Sequence, residues 1–250
     1  MTVIVAHRGA STEAPENTMG AFRAGVAAGA DAIELDVHLT ADGALAVIHD
    51  ETLERTTDRT GSVASLSMDE VRAADAGHAF TDASGEHPFR GTGLTVPTLA
   101  EVLDWLPANI GLVVEIKAVA ATDATVEALR GREDRTTVIS FEERAINRVR
   151  ELDPELATGL LLVPGDSFER GLAYAVEHGH TGVHPYEGDL GLDPSPFLQA
   201  ASAWERQVGC YVVNDPDRMR VLAAAGLWGF VTDDPALARA TLDAMPKLEP

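Results

Sequence analysis

Two apolar runs in this sequence carry charge at alternate positions. Ile33-Glu34-Leu35-Asp36-Val37 sets two carboxylates two residues apart, and Val113-Val114-Glu115-Ile116-Lys117 sets a carboxylate and an ammonium at the same interval. Alternation along a strand sends Glu34 and Asp36 to one face and Ile33, Leu35 and Val37 to the other. Carboxylates on a covered face are costly without a cationic partner. Two kinds of partner are open. Three hard oxygen donors converging from two strands suit Mg2+ or Ca2+. A buried ionic network with Arg8 and Lys117 is the other solution.

Two histidines end apolar runs, His7 after Val3–Ala6 and His49 after Leu45–Ile48. A neutral imidazole takes a proton and an imidazolium gives one near pH 7, so such a pair can act as base and acid in one displacement. Arg8 and Lys117 bring positive charge to the same strand ends, and a guanidinium suits bidentate binding of phosphate. A basic pair directly after a buried strand calls for an anion at that place.

Positioning these groups falls to short apolar runs separated by stretches of helical period. The runs are 3–6, 32–37, 45–48, 112–116, 138–140, 159–163, 182–184, 209–213 and 229–231. Ser140-Phe-Glu-Glu143 and Thr98-Leu-Ala-Glu101 read as capping boxes. Asp215-Pro216 and Asp234-Pro235 put an N-cap before a proline at the first helical position. Strand-then-helix order predicts a parallel sheet with helices outside it. The expectation is an α/β fold, an irregular TIM (β/α)8 barrel, with an open doubly wound sheet as the alternative. Nine runs exceed the eight places of a barrel. Thr40-Ala-Asp-Gly43 is too short for a helical crossover and reads as a hairpin turn. That hairpin would bring residue 49 roughly opposite residue 34, beside the carboxylates. Residues 51–97 hold one plausible helix, about 67–74, and read as a loop-rich insertion or lid on a single catalytic domain spanning 1–250.

With 19 Lys and Arg against 40 Asp and Glu, the formal charge is -21. Such a chain is repelled by nucleic acid and by anionic lipid, so neither nucleic-acid binding nor stable membrane association is expected. The single cysteine, Cys210, forms no intrachain disulfide and is expected to be buried and inert. No stretch approaches the ~18 uncharged apolar residues of a membrane span, and the expected location is cytoplasmic. His78, His87, His178 and His180 are expected at the surface and Trp105, Trp204 and Trp228 as core anchors; His184 ends a strand, with contact to the pocket the lesser of the readings open to it.

A-H-R-G, P-E-N-T, E-L-D-V, H-D followed by T-L-E-R-T-T, and V-E-I-K occur in this order, followed by V-P-T-L-A-E-V-L, V-V-N-D-P and V-T-D-D-P. The set resembles the glycerophosphodiester phosphodiesterase family, within the phosphatidylinositol-specific phospholipase C-like phosphodiesterase superfamily, over nearly the whole chain. The resemblance implies a distorted TIM barrel with a small insertion after H-D. It also implies hydrolysis of a small glycerophosphodiester to sn-glycerol 3-phosphate and an alcohol, with a divalent metal. Carried over by motif, Glu34, Asp36 and Glu115 become metal ligands, His7 and His49 the acid–base pair, and Arg8 and Lys117 the phosphate contacts. The family usually has W-T-V-N near the final strands; Tyr211-Val-Val-Asn214 stands here, so Tyr211 and Asn214 fall on the alcohol side of the pocket. Glu16 and Asn17 lie near the first loop, with capping, packing or substrate contact all open to them. Two other readings remain: a lysophospholipase D-type or other lipid phosphodiesterase, and a non-catalytic barrel that binds a phosphate ligand.

Overall fold

The computed structural model describes residues 2–246. Its strands are β1 (Val3–Ala6), β2 (Ala32–Leu39), β3 (Leu45–Val47), β4 (Gly111–Ile116), β5 (Thr136–Ser140), β6 (Ala157–Leu161), β7 (Gly182–His184), β8 (Gln207–Cys210) and β9 (Gly229–Thr232). Between them lie α1 (Met19–Ala27), α2 (Met68–Arg72), α3 (Leu99–Trp105), α4 (Thr122–Leu129), α5 (Glu143–Leu152), α6 (Phe168–Glu177), α7 (Ser195–Ser202) and α8 (Pro216–Ala224), with α9 (Pro235–Asp243) last.

β1 pairs in parallel with both β2 and β9, and the remaining parallel neighbours run β2, β4, β5, β6, β7, β8, β9. Eight strands therefore close a ring, a TIM barrel rather than an open sheet. β3 pairs antiparallel with β2 and stays outside it. The hairpin is present, with Val37 opposite Val47 and Leu39 opposite Leu45. Continued in that register, residue 49 would face Leu35 rather than Glu34. The last ladder bond runs from Ile48 N to Asp36 O at 3.1 Å, while the Val47 N–H donates away from β2 to Pro97 O, and the chain then turns toward the barrel mouth.

The strands are covered on both faces, as a barrel inside a ring of helices requires. Ile33, Leu35 and Val37 pack outward against Phe22 of α1 and Val102 of α3. Val5, Ala32, Val113, Ile139 and Leu161 make a separate cluster within the ring. Ala32 shares strand parity with Glu34 and Asp36, so the two carboxylates stand above an apolar plug.

Helix starts follow the capping signals in all but one place. The side chains of Thr98, Asp215 and Asp234 accept from backbone N–H groups at the third helical position, and Thr98 with Glu101 forms a full capping box. Ser140 does not cap α5, whose N-cap is Glu142. Its hydroxyl donates to Ile116 O at 2.6 Å and accepts from Glu142 N at 3.0 Å, tying the end of β5 to the end of β4.

Within residues 51–97 the regular elements are the 3-10 turn Val63–Ser65 and α2. The stretch nevertheless has an apolar cluster of its own, built on Leu53, Val63, Val71 and Val96 against Ala46 and Ile48. Two surface expectations need correcting. Trp204 is 59% exposed and anchors no core. His180 is fully buried, because Thr158 Oγ1 and Asn147 Oδ1 satisfy its two ring nitrogens at 2.9 and 3.0 Å. His87 and His178 are exposed and His78 is half-buried. Cys210 is buried, and burial pushes its thiol well above the ordinary range.

The turn after β1 is the tightest point of the frame. Arg8 and Gly9 both have positive φ, 54° and 89°. A Cβ on Gly9 would sit 2.4 Å from the carbonyl carbon of Ala21 in α1. Gly9→Ala combines a disfavoured backbone conformation with that clash. It should lower stability in urea unfolding by at least about 1–3 kcal/mol, and it should displace Arg8.

Candidate active site

The C-terminal strand ends of the ring open into a cavity of about 260 Å3. His7, Arg8, Glu34, His49, Glu115, Lys117 and Tyr211 all line it. Active sites form at this end of a TIM barrel because loops from every strand converge there.

Glu34, Asp36 and Glu115 are buried, and each offers an oxygen within 4.8 Å of the other two. β2 and β4 bring them together through a register that sets Asp36 beside Glu115. Cations and donors surround them. Arg8 Nε stands 3.1 Å from Asp36 Oδ2, and Lys117 Nζ stands 2.5 Å from Glu115 Oε1 and 3.6 Å from Asp36 Oδ1. The backbone N–H of Arg8 donates to Glu34 Oε2 at 2.9 Å, which its left-handed conformation makes possible. Asn17, also left-handed at φ 56°, donates through Nδ2 to Asp36 Oδ2 at 2.8 Å and accepts from Asp36 N at 3.3 Å. The P-E-N-T motif thus supplies a brace for Asp36.

The charge balance stays incomplete. Burial, followed by repulsion from Asp36 and Glu115, pushes the Glu34 carboxyl well above its ordinary range. Burial and then the Asp36 charge push Glu115 upward as well. Asp36 is held low against its burial by Arg8 and then Lys117. Asp36 Oδ1 is buried with no hydrogen-bond partner among the described residues. Three hard oxygens, two of them reluctant to ionise and one orphaned, are a donor set that fits a divalent cation.

The two histidines are held alike. His7 Nδ1 donates to Asp233 Oδ1 at 2.6 Å, and His49 Nδ1 donates to Asp50 Oδ1 at 2.6 Å. Each contact fixes the tautomer and leaves Nε2 for chemistry. Their supports differ. Asp233 takes two neutral donors, Asn214 Nδ2 at 2.6 Å and Ser11 Oγ at 3.0 Å. Asp50 is gripped by Arg55 through Nε at 2.7 Å and Nη2 at 3.0 Å. Asp233 is held low, at about 2, against its burial by His7 and then Asn214. His49 is lowered by burial, which outweighs the charge of Asp36 and the Asp50 bond. His38 is buried and donates through Nε2 to His49 O at 3.0 Å, fixing the backbone beneath the ring.

Among the predicted site residues, Asn214 is placed differently from expectation. It is absent from the cavity wall, and its amide is spent on Asp233 and on Thr232 Oγ1. Tyr211 lines the cavity with its ring, while its hydroxyl donates to Leu162 O. Phe141 meets the Tyr211 ring edge-to-face at 5.9 Å, and Lys117 Nζ lies 5.9 Å from the centroid of Phe141. His184 reaches the cavity wall between two glycines: a Cβ on Gly159 or Gly209 would come within 2.4 Å of its ring. Asp233, Asp50 and Arg55 were not singled out from sequence. Their signal lay in V-T-D-D-P, H-D and T-L-E-R-T-T, where nothing in the spacing shows which side chain turns inward. Glu16, left open between capping, packing and substrate contact, binds Arg8 and Arg55.

The family model for the glycerophosphoryl diester phosphodiesterase family matches residues 7–237. A glycerophosphodiester phosphodiesterase of Caldanaerobacter subterraneus is 33% identical, over 94% of this chain and 95% of that protein. The crystal structure of a glycerophosphodiester phosphodiesterase from Agrobacterium tumefaciens is 31% identical, with a TM-score of 0.79 over 96% of this chain and 100% of its own. An Oleispira antarctica phosphodiesterase, solved in complex with the product sn-glycerol-3-phosphate, is 26% identical, with a TM-score of 0.84 over 98% of both chains.

The raised carboxyls carry a prediction with a definite sign. In metal-free protein the folded state binds more protons than the unfolded one from about pH 4.5 up to the raised values of Glu34 and Glu115. Stability should therefore fall as pH rises through that window. Asp50 and Asp233, which are held low, lose their contribution only below it. Melting temperatures in chelator should decline across the window, and saturating divalent cation should flatten the slope.

Proposed function

The chain belongs to the glycerophosphoryl diester phosphodiesterase family, and we propose that it hydrolyses small glycerophosphodiesters to sn-glycerol 3-phosphate and an alcohol by histidine acid–base chemistry. The observation that carries this reading is the pair of imidazoles, each with Nδ1 on its own carboxylate, in the wall of one cavity with three clustered acids.

Glu34, Asp36 and Glu115 would hold a divalent ion, Mg2+ or Ca2+, which when bound supplies Lewis-acid charge to a phosphoryl oxygen. Arg8 and Lys117, already beside these carboxylates, offset the remaining charge of the phosphodiester as it builds in the transition state. The Nε2 atom of one imidazole takes the proton of the attacking hydroxyl, from water or from the glycerol itself, as the new P–O bond forms; attack by the glycerol leaves a cyclic phosphate, which a water molecule then opens to sn-glycerol 3-phosphate. The other imidazole, protonated, gives its proton to the departing alkoxide as the old P–O bond breaks. Asp233 and Asp50 keep the rings aimed and stabilise the charge that passes over them. Asn214 acts through Asp233 rather than on substrate. The rings of Tyr211 and Phe141 wall the alcohol side.

The cavity, about 260 Å3, lies just under the ~300–1,000 Å3 typical of drug-sized ligands. That favours a small water-soluble diester over a lysophospholipid with its acyl chain. Among the described residues no helix is long and apolar enough to cross a membrane, and the acidic surface and single thiol suit a cytoplasmic enzyme.

Release of sn-glycerol 3-phosphate from glycerophosphocholine should be abolished by chelator and restored by Mg2+ or Ca2+. His7→Ala and His49→Ala should each lower kcat/KM by roughly 10²–10⁴-fold, each removing one limb of the pH profile. Near-normal turnover in either folded variant, or faster turnover of lysophosphatidylcholine, would overturn the reading.

A further inference from the structure

We propose that Arg55 is a positioning residue that sets His49 and Arg8 at once, through Asp50 and Glu16. The inference rests on the roles given above to those two residues.

Arg55 sits in T-L-E-R-T-T, inside the 51–97 stretch and off the barrel. Its guanidinium spans two carboxylates. Nε and Nη2 donate to Asp50 Oδ2 and Oδ1 at 2.7 and 3.0 Å, while Nη1 and Nη2 donate to Glu16 Oε2 and Oε1 at 2.7 and 2.8 Å. Every nitrogen of the planar fork is used, in the geometry that distinguishes arginine from lysine.

The oxygens it holds are the ones that matter. Asp50 Oδ1 also receives Nδ1 of His49 at 2.6 Å, and Glu16 Oε1 also receives Nη1 of Arg8 at 2.8 Å. Nη2 of Arg55 bonds both of these shared oxygens. One atom therefore joins the carboxylate behind an acid–base imidazole to the carboxylate behind a phosphate-facing guanidinium. A rotation of Arg55 moves both supports.

The platform beneath Arg55 is rigid. Leu53 and Thr57, two residues away on either side, are 1% and 4% exposed. Thr57 closes the turn on Leu53 O through its N–H at 3.1 Å and its hydroxyl at 2.8 Å. Arg55 itself is 46% exposed, so it is not spent on filling a core. A residue that merely stapled the insertion to the rim would have no need of the two oxygens that face the site. Two hydrogen-bonded steps separate Arg55 from the reaction, and displacements of about 1 Å in such supports cost on the order of 10²-fold in rate.

The test uses the full-length chain loaded with divalent cation and release of sn-glycerol 3-phosphate from glycerophosphocholine. Arg55→Ala should lower kcat through the His49 arm and raise KM through the Arg8 arm, for a combined loss in kcat/KM of roughly 10–100-fold. Asp50→Asn should move mainly kcat and Glu16→Gln mainly KM. Added guanidinium at low millimolar concentration should restore part of the Arg55→Ala activity, where sodium at the same ionic strength should not. A folded Arg55→Ala protein with kcat and KM within about twofold of wild type would overturn the assignment. So would loss of melting temperature with the kinetic constants of the folded fraction unchanged. If Arg55→Ala fails to fold, Arg55→Lys decides: it keeps the charge and loses the fork, so kinetics matching wild type would overturn the proposal, and a fall in kcat together with a rise in KM would support it. A wild-type protein that releases no sn-glycerol 3-phosphate would instead sink the reading of the function.

Discussion

Repulsion among three buried carboxylates organises this molecule. At 4.8 Å and an effective dielectric near 20, two full negative charges repel by about 3.5 kcal/mol, and burial adds the cost of lost hydration. Nearly every unusual feature at the barrel mouth answers that strain. Arg8 and Lys117 supply positive charge. Asn17 and the Arg8 N–H supply neutral donors, and both residues adopt a left-handed backbone to reach the acids. Gly9 lets the chain leave Arg8 and press onto α1. What the protein leaves uncompensated, an orphaned Asp36 oxygen and two carboxyls that resist ionising, is the part that the proposed divalent cation would complete.

The same logic sets the two histidines apart. Both rings lean on a carboxylate at 2.6 Å, but only one of those carboxylates shares its charge with an arginine. Asp233 has His7 as its one ionisable hydrogen-bond partner among the described residues, with Asn214 and Ser11 as neutral supports. Asp50 divides its charge between His49 and Arg55. Two superficially equivalent dyads thus present different electrostatic faces to whatever lies between them, an asymmetry that suits the opposite proton transfers proposed for them.

Much of this was legible before the fold was seen, and for a physical reason. Strand alternation is a strict two-residue rule, so E-L-D and E-I-K declare which side chains share a face. A barrel converts that face into a common interior. The hairpin at Thr40–Gly43 was legible because Asp-Gly turns have few alternatives. What stayed hidden was every support that depends on a loop trajectory. Asn214 reads as a pocket residue through its resemblance to the family's W-T-V-N, but its amide turns to Asp233. His180 looks like a surface histidine until Thr158 and Asn147 are found to satisfy it. Ser140 carries a capping-box spacing, yet the end of β4 offers its hydroxyl a carbonyl first. Local patterns specify the strands; competition among distant partners decides the loops.

Because β3 lies outside the closed ring, the chain from Thr40 to Thr98 departs from one rim position and returns beside it without contributing a parallel rung to the barrel. The ring's hydrogen-bond circuit is indifferent to what this excursion contains. Its length and contour are therefore free of the barrel's own geometry, a module set over a constant engine, provided it returns His49, Asp50 and Arg55 to the mouth.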